Sequence, residues 1–302
     1  MRIEQFFEYL DESGLTNREK IGKYQQVIRR VPETDASVSY EQVSASAPGT
    51  VYKDGKLIGF GINILNEDIY PIQSFEIYLR NCHLSGSLDL SGNADLLFVD
   101  LYHNELTGIN VRGLRQLRIL GIQDNRIESL DPQDLVACQG IDAGRNRLKE
   151  ISLTHNHELV ELYLNDNRIG QLDVSPCTKL QYLYVQNNCL THLDLRQLAP
   201  LKHLNATGNP LTAIYAWAPL QERQPLFVTA STGGTVGLRF NPIYNAQWKE
   251  TGKYEQCYVA TPMEGYHFSF WMSENMERLS EQQTWVDTYG SSRIIQAVFE
   301  KN

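Results

Sequence analysis

At 302 residues the chain can bury a large core and hold more than one domain. Its 42% hydrophobic share is ordinary for a soluble protein, and a formal net charge of −9 argues against a nucleic-acid groove or an anionic membrane surface, both of which want a basic face. No apolar run approaches the length of a membrane span, and five cysteines without paired spacing make no disulfide framework.

The first residues, MRIEQFFEYLDESG, lack an uninterrupted apolar stretch, so no signal peptide is visible. That predicts a cytoplasmic protein, or one in the cell envelope or secreted if an export signal has been removed. Ile3, Phe6, Phe7 and Leu10 share one face of a predicted helix over 2–12. Thr16 and Glu19 form a capping box for a second helix, with Ile21, Tyr24, Val27 and Ile28 as its apolar stripe and Pro32 at its end. Residues 1–45 read as a helical N-terminal cap; a regulatory or partner-binding helix pair is the alternative. In 46–73, Asp54-Gly55 between VYK and KLIGFGINI signals a hairpin, whose second strand is a candidate degenerate first rung.

Residues 96–221 repeat one 21-residue phrase six times without an insertion. Leu96, Leu117, Cys138, Leu159, Leu180 and Leu201 open the copies. Val99, Leu120, Ile141, Leu162, Leu183 and Leu204 follow three residues on. Six asparagines stand at constant spacing: Asn104, Asn125, Asn146, Asn167, Asn188 and Asn209. The pattern L-x-x-L-x-L-x-x-N-x-L marks leucine-rich repeats. Each copy offers a short strand whose apolar side chains only its neighbours can bury. The asparagine amide suits the backbone groups exposed as the chain turns away from the strand. An imperfect copy at 74–95 aligns Ile77, Leu79, Cys82 and Leu84, giving about seven repeats over 74–221.

Stacking at roughly 4.8 Å per repeat predicts a solenoid with a broad concave strand face. The residues between the buried strand positions should line it. Tyr78, Phe98, Asp100, Tyr102, Asp142, Tyr163, Tyr182, Tyr184 and His203 are its candidate ligand-binding residues. Exposed tyrosines bring large contact area, few rotamers and a polar tip, which suits recognition; aromatic residues also simply fit strands. Arg126, Arg147 and Arg168, with Arg145 beside them, run near Asp124, Asp166, Glu128 and Glu150, a solvated salt-bridge ladder ahead of an anion site.

The repeat length and phrases such as LTHLDL (190–195) and IGQLDVS (169–175) resemble the internalin type of bacterial leucine-rich repeat. After Leu220 the period stops, and 222–302 read as β-rich. There FVTASTGGTVG (227–237), YVATPMEGYHFSFW (258–271) and IIQAVFE (294–300) resemble a divergent internalin B-repeat. Phe270 departs from that family's usual glycine, and 239–251 and 273–292 are untypical. The resemblance implies a small β-grasp-like spacer in an exported protein, with Phe268, Trp271, Val298 and Phe299 as its core and Gly265 as its turn. The expected fold is therefore an α/β leucine-rich-repeat solenoid with a helical N-terminal cap and a small C-terminal β-rich domain.

Catalytic patterns are weak. His155-x-His157 lacks a third ligand nearby, so no metal is expected. Cys257 and His267 fall on adjacent predicted strands, where a nucleophile–base pair competes with the commoner role of strand cysteine as a small buried hydrophobe. GGTV at 233–236 is a strand-entry turn without the Lys-Ser/Thr of a phosphate loop. The sequence thus predicts a non-enzymatic recognition protein without cofactor. Its concave face would engage a protein, host or envelope, ahead of a glycan. The alternative is an intracellular scaffold using the same face.

Overall fold

The computed structural model describes residues 3–24, 50–53, 56–61, 76–198, 201–217, 225–247, 249–287 and 294–302. The chain divides into two compact units, Met1–Leu148 and Lys149–Asn302.

In the first unit, helix α1 spans Ile3–Phe7 and helix α2 spans Asn17–Tyr24. α1 is shorter than its spacing predicts: Phe6 and Phe7 are buried, but Leu10 is 60% exposed beyond the helix end, where it bridges Thr16. The capping box forms as written. The Thr16 N–H donates to Glu19 Oε2 at 2.8 Å, and the Glu19 N–H donates to Thr16 Oγ1 at 3.2 Å. Val27, Ile28 and Pro32 lie outside the described residues.

Buried Asn17 donates to the carbonyls of Phe6 and Ser85, each at 2.9 Å, and accepts the Ser85 N–H at 3.0 Å. Lys20 is also buried, donating to Asp11, to the His83 carbonyl at 2.8 Å and to Ser85 Oγ at 3.0 Å. That ammonium, then the Ser13 hydroxyl, hold the Asp11 carboxyl well below the usual carboxylate range. A depressed carboxyl stabilises the fold above its unfolded pKa of about 3.9 and loses that contribution as pH falls through the folded value. Asp11→Asn should therefore unfold at lower urea than the parent chain at pH 7, with the gap narrowing below about pH 4.

Strand β1 (Thr50–Lys53) pairs antiparallel with β2 (Lys56–Gly61), Lys53 opposite Lys56, as the Asp54-Gly55 signal requires. β2 lies parallel to β3 (Glu76–Tyr78), Phe60 opposite Ile77. β4 (Ser85–Asp89) and β6 (Glu105–Asn110) form a separate parallel pair. β5 (Phe98–Asp100), β7 (Ile119–Gly121) and β8 (Gly140–Asp142) continue the rung sheet in register from β3.

In the six regular copies the apolar columns are buried, except that Leu172 is half-buried. The asparagines satisfy the turning backbone. Asn146 accepts the Ile127 N–H at 3.0 Å and donates to the carbonyls of Ile122 at 2.9 Å and Ala143 at 3.2 Å. Asn125 repeats this with Leu106, Leu101 and Ile122. In the second unit Asn188 does so with Ile169, Leu164 and Val185, and Asn209 with Leu190, Val185 and Ala206. The residue before each asparagine turns left-handed: His103, Asp124, Arg145, Asp166, Asn187 and Gly208 all have φ between 51 and 69°.

The second unit begins with the repeat strands β9 (Glu161–Tyr163), β10 (Tyr182–Tyr184), β11 (His192–Asp194), β12 (His203–Asn205) and β13 (Ala213–Trp217). It continues with β14 (Pro225–Ala230), β15 (Gly234–Tyr244), β16 (Glu250–Pro262) and β17 (Tyr266–Ser273). β18 (Arg278–Ser280), β19 (Thr284–Asp287) and β20 (Ile294–Lys301) complete it. β9, β10 and β12 are parallel; β15 then pairs antiparallel with β12, β16 with β15, and β19 with β16. The other sheet runs β11-β13-β14-β20-β17-β18. Both sheets therefore pass from the last repeats into the C-terminal strands without a break in pairing.

Leu238, Phe240, Tyr258 and Ala260 on one sheet, and Trp271, Ile295, Ala297 and Phe299 on the other, are buried. The Trp271 ring lies 5.9 Å from Tyr258 and 5.7 Å from Phe268. The expected core pair Val298–Phe299 is corrected: side chains alternate along β20, so Phe299 is buried and Val298 only half-buried. Phe268 and Trp271, three apart, contact each other because a bulge interrupts the register between Phe268 and Phe270. At the GGTV turn Gly233 has φ of 104°, and a Cβ on Gly234 would meet the Phe299 ring at 2.2 Å.

Candidate functional site

Each rung strand exposes the residues flanking its buried centre, so side chains one repeat apart stand directly beside one another. On the first unit several of these side chains are taken up by one another. Tyr78 pairs opposite Asp100 through the backbone of β3 and β5. Phe98 is half-buried. Asp100 is only 1% exposed and is covered by Arg80, which forms its ion pair. The Arg80 guanidinium lies 4.9 Å from the centre of the Tyr102 ring. Below it, that ring passes over Gly121, where a Cβ would stand 3.2 Å from Tyr102 Cε2, and its hydroxyl donates to Asp142. Burial first, and the nearby Asp100 carboxylate, push the Asp142 carboxyl upward; burial and the Asp142 bond raise the Tyr102 phenol. Three of the expected residues, Asp100, Tyr102 and Asp142, thus satisfy one another, with Arg80 as a fourth member. Arg80 occupies the same column as Tyr102 in the irregular repeat, which the sequence columns identify.

On the second unit the face is aromatic. Tyr163 and Tyr184 stack at 5.1 Å with 14° between planes; Tyr182 and His203 stack at 4.5 Å and 13°. All four are half-buried. Glu161 beside them is exposed and accepts the Tyr163 hydroxyl at 3.3 Å. Burial is the first cause raising the Tyr184 phenol above its ordinary value. This face continues past the repeats. Asn205 stands opposite Arg239, Arg239 opposite Cys257, and Cys257 opposite Val286. Arg239 is exposed and Val286 is 45% exposed, on strands the repeat period does not reach.

The expected ladder of exposed ion pairs forms in part: Arg147 pairs with Glu128 at 3.9 Å and Arg145 with Asp124 at 4.0 Å, while Arg126 pairs at 3.0 Å with Glu105, outside the expected set. The Cys257–His267 pairing does not form. Cys257 lies on β16 between β15 and β19, while His267 lies on β17 in the other sheet and meets Asn302 Oδ1 at 3.0 Å. Burial pushes the thiols of Cys138 and Cys177 up to about 12, so neither is a ready thiolate. Among the described residues no group of three His, Cys, Asp or Glu could hold a metal ion, and no helix is long and apolar enough to cross a membrane.

Rungs of buried leucines, an internal asparagine ladder and a displayed strand face define a leucine-rich-repeat architecture. The Leucine rich repeat family matches residues 157–211. Among solved structures, the functional domain of InlJ from Listeria monocytogenes, which includes a cysteine ladder, is similar at 19% identity, covering 71% of this chain and 54% of that one with a TM-score of 0.41. A leucine-rich-repeat protein of Leptospira interrogans is similar at 21% identity over 46% of this chain and 44% of its own, TM-score 0.36. YopM, a leucine-rich effector protein from Yersinia pestis, is similar at 21% identity over 46% and 48%, TM-score 0.34. The chain spans about half the length of each of these. A search of curated proteins finds no match.

Proposed function

We propose that this is a non-catalytic recognition protein whose strand face on Lys149–Asn302 holds a protein ligand, at the bacterial surface or after secretion. Protein–protein interaction is the typical role of leucine-rich repeats. The observation that carries the proposal is the pair of aromatic stacks, Tyr163–Tyr184 and Tyr182–His203, standing half-exposed on neighbouring columns. Such rings bring contact area at small entropic cost, and they sit on rungs already fixed by packing. The surface or secreted setting rests on the internalin-like repeat length and on the order of GGTV, TPMEGYHFSFW and IIQAVFE along β15, β16–β17 and β20. Those segments also support a B-repeat-like, β-grasp-like spacer over 222–302. The bonds of Asn17 and Lys20 to Ser85 support a helical cap over 1–45.

The test is capture of a partner from envelope and host-cell extracts by the parent chain and by a Tyr163→Ala, Tyr182→Ala, Tyr184→Ala variant. The variant should lose the partner while its melting temperature falls by no more than a few degrees, because the rings are not part of the buried columns. Capture that survives in the variant overturns the assignment of this face.

A further inference from the structure

We propose that the strand face of Lys149–Asn302 seats a lysine or arginine side chain of a polypeptide partner, between the Glu161 carboxylate and the open face of the Tyr182 ring. The inference rests on the recognition reading above and names the chemistry of its partner. β10 lies between β12 and β9, with Tyr182 in register with His203 on one side and Glu161 on the other. The stack on His203 uses one face of the Tyr182 ring, and Glu161 is the register partner of Tyr182 on the strand at its other side. Glu161 is exposed and takes only a tyrosine hydroxyl; among the described residues no cationic side chain pairs with it. The contrast with its neighbours is direct. Glu158 is paired with Lys179 at 2.6 Å, and Glu255 with Arg239 at 3.9 Å.

A cation at this position gains both an ion pair and the negative face of an aromatic ring. The same geometry disfavours a sugar. A pyranose packs on flat, open ring faces, whereas Tyr163 and Tyr184 stack on each other and each loses a face to its neighbour. What the stacks offer outward is ring edge and hydroxyl, suited to peptide groups and side chains. A net charge of −9 also draws a basic segment towards the chain.

The experiment is selection of a phage-displayed random dodecapeptide library on the full chain, with a glycan array as the parallel arm. Enriched peptides should share a lysine or arginine. Their affinity should fall about tenfold on Glu161→Gln, be abolished by Glu161→Lys, and be unmoved by Glu128→Gln, which removes a carboxylate from the exposed ladder. Glu161 is exposed, so these substitutions leave the fold intact. Enriched peptides without a basic residue, or Tyr182-dependent glycan binding, overturn the proposal. Peptides that need Tyr182 but ignore Glu161→Gln overturn the cationic partner and leave the strand-face reading standing. Peptides indifferent to both positions overturn the two together.

Discussion

Asn146→Ala is expected to lower the stability of its unit by about 3 kcal/mol, because it removes the amide's bonds to one buried N–H and three carbonyls. Those groups belong to Ile127, Ile122, Ala143 and Gly144. The asparagine is only 8% exposed, so these groups are largely shielded from solvent. Asn146→Asp should not rescue the loss, for a carboxylate can accept from Ile127 but has no hydrogen to donate to the three carbonyls. Urea unfolding measures both variants. A control at Asn165, half-buried on the strand face and bonded through Nδ2 to Asp166, should shift stability by less than about 0.5 kcal/mol. A loss below about 1 kcal/mol at Asn146 would show that the ladder is not what satisfies the turning backbone.

Trp271→Ala is expected to cost more, about 4 kcal/mol, the range seen when a large aromatic is deleted from a core. Its side chain is fully buried, touches Tyr258 and Phe268, and donates from Nε1 to the Gln282 carbonyl at 3.1 Å. Trp271→Phe should cost less, since most of the volume remains and only the hydrogen bond and part of the ring are lost. The two variants separate packing from polar satisfaction. Near-ultraviolet circular dichroism with urea unfolding reads the result. Equal losses in both would place the energy in the Gln282 bond rather than in the core.

The repeats were legible because a fixed period repeats each constraint. Every Leu or Ile column sits in the same environment, and each asparagine faces the same unpaired groups, so six copies state one fact six times. The left-handed residue before each asparagine carried a fainter signal. His103, Asp124, Asp166, Asn187 and Gly208 are types that tolerate this backbone, while Arg145 hides the pattern. The end of α1 was not legible, since Leu10 keeps helical spacing but is drawn into the bridge with Thr16. The C-terminal strands alternate in ways that fix which residues lie inward but not which sheet they join. Cys257 and His267 looked adjacent for that reason.

The strand face was legible as columns and illegible as contacts. Nothing in the spacing says that Tyr102 reaches Asp142, forty residues on, by lying across Gly121. The glycine was the available clue: a rung residue without a side chain leaves room for a neighbouring ring. Nor could the period say that the face continues through Arg239 to Val286, because that continuation is made by antiparallel pairing to β12, outside the repeat.

The most direct test of the account is carbene footprinting of the partner-bound chain against the free chain. Labelling should fall at Glu161, Tyr163, Tyr182, Tyr184 and His203, with Arg239 also protected, and stay unchanged along the Arg126–Glu105 and Lys179–Glu158 pairs. Protection confined to those ion-pair columns, with the tyrosines labelled as before, would contradict it.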